Sequence, residues 1–110
     1  MPHYIARLKW TEEGIKNVKE SPKRAADLLA HFEKEYGGKV IGNYYTFGEY
    51  DGVLVLESPN DETIMSFLLE AESKRNFRSM TLKASPMSKV AKVIDIVCSL
   101  IKTSRTRLVA

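Results

Sequence analysis

Two strand-forming runs flank Gly48-Glu49-Tyr50-Asp51-Gly52, and this segment constrains the fold more than any other. Glycine reaches φ > 0 without steric cost, and aspartate tolerates turn geometry. A short glycine-containing loop between β-rich runs signals a hairpin. The first run covers residues 39–47; the second, 53–56, is apolar at every position. Continuous apolar runs mark strands buried on both faces. In a chain of 110 residues the helices can cover one face of a sheet, so the other face calls for a second molecule.

The remaining elements fall into place around that hairpin. Residues 4–10 alternate, with Tyr4, Ala6, Leu8 and Trp10 on one face and Ile5, Arg7 and Lys9 on the other. Thr11 offers an N-cap ahead of Glu12-Glu13, acids suited to a helix start, and residues 14–18 read as a short helix or turn. Ser21-Pro22 opens the first main helix. Ala25, Leu28, Leu29, Phe32 and Tyr36 form its buried stripe, and Gly37-Gly38 closes it. Ser58-Pro59-Asn60-Asp61 opens the second. A fourth strand over 77–84 places Arg78, Met80, Leu82 and Ala84 on one face. Ser85-Pro86 opens a third helix, whose apolar surface is wide enough to pack on more than one neighbour. The order β-α-β-β-α-β-α is the ferredoxin-like, split βαβ pattern of an α+β sandwich with one C-terminal helix added. One domain over residues 1–101 is expected, followed by a flexible basic tail over 102–110.

Charge distribution excludes several functions. Three of the seventeen basic residues lie in the last nine positions, leaving fourteen basic against fourteen acidic before them. A nucleic-acid-binding domain needs a basic face over its body, so nucleic acid is not an expected partner. The single cysteine, Cys98, rules out an internal disulfide and reads as an inert core thiol in an apolar helix stripe. No run is long enough to span a membrane and no apolar leader opens the chain, so a cytoplasmic protein is expected. Two distant histidines and one cysteine give no metal-ligand spacing, and phosphate-binding glycine motifs are absent, so no cofactor is expected.

Several short pieces together resemble the GYD-domain proteins, a family of small bacterial and archaeal proteins. They are Tyr4-Ile5, Trp10-Thr11, Gly14-Ile15, the segment 17–24 (NVKESPKR), Gly37-Gly38, Gly48-Glu49-Tyr50-Asp51 and Thr81-Leu82-Lys83-Ala84. The resemblance implies a dimeric α+β barrel, in which two sheets face each other. That fold is shared with cofactor-free monooxygenases, muconolactone isomerases and ligand-binding modules of transcription regulators, so it does not by itself fix a function.

Candidate site residues form two groups. Tyr44, Tyr45, Glu49, Tyr50 and Asp51 cluster at the hairpin, where a carboxylate beside a phenol can carry acid–base chemistry: Asp51 as base, with Tyr50 or Tyr44 as donor. The competing reading is that Asp51 makes the turn and Tyr50 packs over it. His3 is a further candidate base, or else an exposed or interface histidine; His31 reads as solvated. Arg7 and Arg78 share the open face, where they can clamp an anion bidentately or pair with Glu57. Trp10 and Tyr45 complete the candidate ligand-binding set, although a core position is the better reading of Trp10.

Three functions follow. The first is a homo-oligomer, dimeric or larger and even-numbered, that binds a small anionic molecule in a cavity at the sheet face. The second is a cofactor-free isomerase or monooxygenase, and the third a structural or interaction protein. A cavity between Arg7 and Arg78 favours the first, a perturbed carboxylate or buried histidine in a cavity the second, and a dry, filled sheet interface the third.

Overall fold

The computed structural model describes the backbone over residues 1–109 and side chains through Lys102. Beyond Lys102, the basic segment expected as a tail therefore lies outside the residues whose side chains are described. Strand β1 (His3–Trp10) leads through α1 (Glu12–Lys16) and a 3-10 turn (Val18–Glu20) into α2 (Ser21–Tyr36). The hairpin β2 (Lys39–Tyr45) and β3 (Gly52–Glu57) follows, then α3 (Asp61–Glu72), β4 (Phe77–Ala84) and α4 (Met87–Val109). The four strands form one sheet in the order β2-β3-β1-β4, every neighbour antiparallel. This is the ferredoxin-like arrangement that the element order predicts.

Local chemistry sets the boundaries. Thr11 caps α1, its hydroxyl accepting from the Gly14 N–H at 3.1 Å. Gly14 is buried, and a Cβ there would lie 1.9 Å from the carbonyl oxygen of Asn76, so the approach of α1 to the start of β4 needs glycine. Gly37 ends α2 in the left-handed region at φ 67. The two helix starts differ in how their serines are used. Ser21 is already inside α2, and its buried hydroxyl bonds the Tyr45 phenol at 2.8 Å instead. At α3 the cap is Asn60, which accepts from the Thr63 N–H at 2.8 Å, while Ser58 is buried and donates to the Asn60 carbonyl. At Ser21 a tertiary partner takes the hydroxyl, and at Ser58 a local turn carbonyl does.

The core lies between the sheet and α2 and α3. Tyr4, Ala6, Leu54 and Leu56 form its floor; Phe32, Ile64, Phe67 and Leu68 come down from the helices. The Phe32 and Phe67 rings meet at 4.4 Å, joining the two helices at one end. A bulge at Ile41 shifts the β2 register between Val40 and Gly42.

The opposite face of the sheet has no covering layer within the chain. Ile5 stands between Val55 and Leu82, and Arg7 between Val53 and Met80. Val53 and Val55 are half-buried, whereas Leu54 and Leu56 on the helix side are buried. The α4 surface, expected to pack on neighbours, is likewise uncovered. From Ala91 to Lys102 every residue is exposed, including Ile94, Val97 and Leu100. Cys98 is exposed too, which corrects the reading of it as a core thiol. The protruding helix stretches the molecule to 65 × 31 × 21 Å, with a radius of gyration of 18.5 Å. A compact chain of this length measures about 13 Å.

One buried link gives the fold a pH signature. The Tyr4 phenol donates to Asp61, whose other partner is Lys83 at 3.0 Å. Burial first, and the Asp61 bond second, push the Tyr4 hydroxyl up from 10.0 to about 12. A group whose pKa rises on folding stabilises fully below its unfolded value and loses that contribution as pH climbs to the folded one. Stability is therefore expected to fall between pH 10.0 and about 12 in urea melts, and Tyr4→Phe to flatten that fall. A slope unchanged in the variant would assign the alkaline loss elsewhere.

Candidate functional site

The hairpin cluster is held together by the backbone of β1. The β1–β3 ladder ends at Leu8 opposite Gly52. Asp51 continues it: its N–H donates to the Leu8 carbonyl at 2.8 Å, and its Oδ2 accepts the Trp10 N–H at 2.9 Å. The Asp51 carboxylate thus stands in for a missing strand residue, the turn-making role weighed against catalysis. Gly48 takes φ 116, and the Thr46 hydroxyl donates to the Tyr50 carbonyl at 2.6 Å. Asp51→Ala is expected to cost about 1.5–3 kcal/mol, the range for a hydrogen bond to a charged group. Asp51→Asn keeps an acceptor and should lose less than half of that in chemical denaturation. Equal losses in the two variants would contradict this role.

The candidate residues divide between the two faces of the sheet. Arg7, Tyr50 and His3 belong to the open face. The Arg7 guanidinium lies 4.7 Å from the centroid of the Tyr50 ring, and the Tyr50 hydroxyl points to the Met80 sulfur at 3.4 Å. His3 Nε2 pairs with Glu57 at 3.1 Å, so Glu57 is the partner of His3 rather than of an arginine. His3 Nδ1 and Arg7 Nε are buried without a hydrogen-bond partner. Arg78 stands opposite Lys9 at the end of the same face, one diagonal step from Arg7, and is exposed. The Tyr44 ring also lies on this face, over Gly42, where a Cβ would come within 2.8 Å of it.

Trp10, Tyr45 and Asp51 instead meet on the helix side, around a cavity of about 430 Å³ between α2, α3 and the sheet. Leu8, Leu28 and Leu54 line it together with Trp10, Tyr45 and Phe77. Trp10 and Tyr45 are set edge to face, with centroids 6.1 Å apart. His31 Nε2 bonds Glu70 Oε1 at 2.6 Å across the two helices, so His31 bridges elements instead of being merely solvated. Arg24, Asp27 and Lys74 stand at the same mouth, and Arg24 donates to the Asn17 carbonyl at 2.7 Å.

Trp10 and Tyr45 thus line a cavity on the face opposite Arg7 and Arg78, together with Arg24, Asp27 and Lys74, which are not among the candidates read from the sequence. A signal existed: Arg24, Asp27 and His31 recur at helical spacing beside the apolar stripe of α2. What was missing was their separation from α3. Among the described residues no group of three His, Cys, Asp or Glu side chains could hold a metal ion, and no helix is long and apolar enough to cross a membrane.

The chain is similar to known proteins at three levels. A structural-genomics protein, YJCS, superposes with a TM-score of 0.51 at 18% identity, covering 78% of this chain and 99% of that one. At that identity the likeness speaks for the fold alone. A relative from Thermus thermophilus, 28% identical over 88 residues, spans 80% of this chain and 93% of its own. It is named glutamine synthetase and cystathionine beta-lyase binding protein. The profile of the GYD domain matches residues 4–94, from the first strand into α4, and so takes in the sheet, both faces and the hairpin motif. The protein belongs to the GYD domain family.

Proposed function

We propose that the protein is a homo-oligomeric binding module that docks onto other proteins, with metabolic enzymes of the kind bound by its Thermus relative as the expected partners. The observation that carries this reading is the pair of apolar surfaces left uncovered within one chain. The open sheet face presents Ile5, Val53, Val55, Met80 and Leu82, and α4 presents Ile94, Val97, Leu100 and Ile101. Apolar surface of that extent on a soluble domain marks an interaction site. The sheet face is assigned to a second copy, because two flat faces of alternating residues pack on each other in an isologous contact. The helix is then free for a partner of another kind.

A second reading is compatible with the first and rests on its own observation. His3 Nδ1 and Arg7 Nε are buried without partners on the open face. Buried polar groups ordinarily have partners. When two sheets face each other, an anionic small molecule between them would accept from the Arg7 Nε–H, with Arg78 at the rim. The enzyme alternative gains less support, because Asp51, its proposed base, is engaged by the Trp10 N–H.

The test is calorimetric titration of the full chain into glutamine synthetase and into cystathionine beta-lyase from the same cell. Saturable binding that weakens about tenfold or more on Leu100→Asp is the expected result. Absence of heat with both enzymes would overturn the choice of partner. Binding unaffected by the helix variant would overturn the choice of surface.

A further inference from the structure

The cavity on the helix side is independent of both uncovered surfaces, and none of the readings above uses it. Its volume of about 430 Å³ falls within the range of small-molecule sites, roughly 300–1,000 Å³. It exists because α2 and α3 meet at Phe32 and Phe67 and separate toward the start of α2. The His31–Glu70 bond is the last bridge between them. One turn further along, Asp27 on α2 and Lys74 just beyond α3 both line the mouth. Asp27 and Lys74 make no ion pair among the described residues, whose three pairs are His3–Glu57, His31–Glu70 and Lys83–Asp61. An anion acceptor and a cation acceptor are thus held apart at the entrance of an aromatic-walled cavity.

We propose that this cavity binds a free α-amino acid with an aromatic or large apolar side chain. Asp27 takes the ammonium and Lys74 the carboxylate. The side chain enters among Trp10, Tyr45, Phe77, Leu8, Leu28 and Leu54. A charged headgroup matched on both signs stays at the solvated rim, where it avoids the cost of burying an unpaired ion. The apolar remainder gains the burial. Neither a simple anion nor a simple cation fits both sides of the mouth, and a fully apolar ligand leaves both charges unused.

Trp10 is the only tryptophan of the chain and lines the cavity, so its fluorescence reports occupancy directly. The full chain is titrated with L-phenylalanine, 3-phenylpropionate, 2-phenylethylamine and glycine, and calorimetry repeats the measurement. L-phenylalanine should bind saturably, and each of the other three about tenfold or more weaker. Asp27→Asn and Lys74→Met should each weaken L-phenylalanine binding by about tenfold while leaving the melting temperature of the ligand-free protein within a few degrees. Asp27→Asn should leave the residual 3-phenylpropionate affinity unchanged, because that ligand has no ammonium. A purely structural role for Asp27 or Lys74 would move the melting temperature and not this pattern. No saturable signal with L-phenylalanine up to roughly 10 mM would overturn the proposal. So would equal binding of zwitterion, acid and amine, or affinities unchanged in both variants.

Discussion

Phe32→Ala is expected to lower the unfolding free energy by about 3–5 kcal/mol, the usual cost of deleting a buried aromatic ring. Against a total of ~5–15 kcal/mol for a domain of ordinary stability, that is a loss the fold barely survives. Phe32 is wholly buried, stacks on Tyr36 at 6.4 Å and packs on Phe67 at 4.4 Å. Its ring also occupies the space above Gly38, where a Cβ would meet it at 2.1 Å. Alanine would leave a hole beside the Tyr36 and Phe67 rings, so the cost should fall toward the upper part of the range. Urea denaturation measures it. A loss under about 1 kcal/mol would mean that the helices collapse freely onto the sheet and that the cavity between them is not a fixed feature.

Val55→Glu is expected to dissociate the oligomer, raising the dissociation constant by about 100-fold or more, with little change in the stability of the single chain. The asymmetry follows from the two environments of the site. Within one chain Val55 is half-buried on a face with no covering layer, so a carboxylate there stays hydrated. Between two facing sheets the same carboxylate would be buried beside Ile5, whose other neighbour is Leu82, and its desolvation would outweigh any pairing with the diagonal Arg7. Sedimentation velocity separates the species, and far-UV circular dichroism shows whether the fold persists. An oligomer that survives the substitution would place the interface elsewhere, with α4 as the next surface to examine.

The fold was legible because its signals agree with one another. Alternation in β1 and β4, the turn at Gly48–Asp51, the Gly37 cap and the helical stripe of α2 each predict the element that forms. Side-chain partners were less legible. Ser21 and Ser58 carry the residue type of a cap, yet their hydroxyls are taken by Tyr45 and by the Asn60 carbonyl. Cys98 sits on an apolar stripe and reads as buried. Helical spacing reports which residues share a face, and it cannot report that the face lacks a neighbour. The cavity was invisible for a similar reason. Arg24, Asp27, His31 and Lys74 are ordinary surface residues until the angle between α2 and α3 brings them to one mouth. For Asp51 the sequence offers a turn-making and an acid–base reading, and the structure shows its carboxylate accepting the Trp10 N–H.

If the open sheet face is an interface between copies of this chain, as proposed, native mass spectrometry of the 110-residue protein at micromolar concentration should show a dimer or a larger even-numbered oligomer, converted to monomer by Val55→Glu. A wild-type protein that is monomeric under those conditions would contradict it, and would leave Ile5, Val53, Val55 and Leu82 as solvent-facing residues of a single sheet.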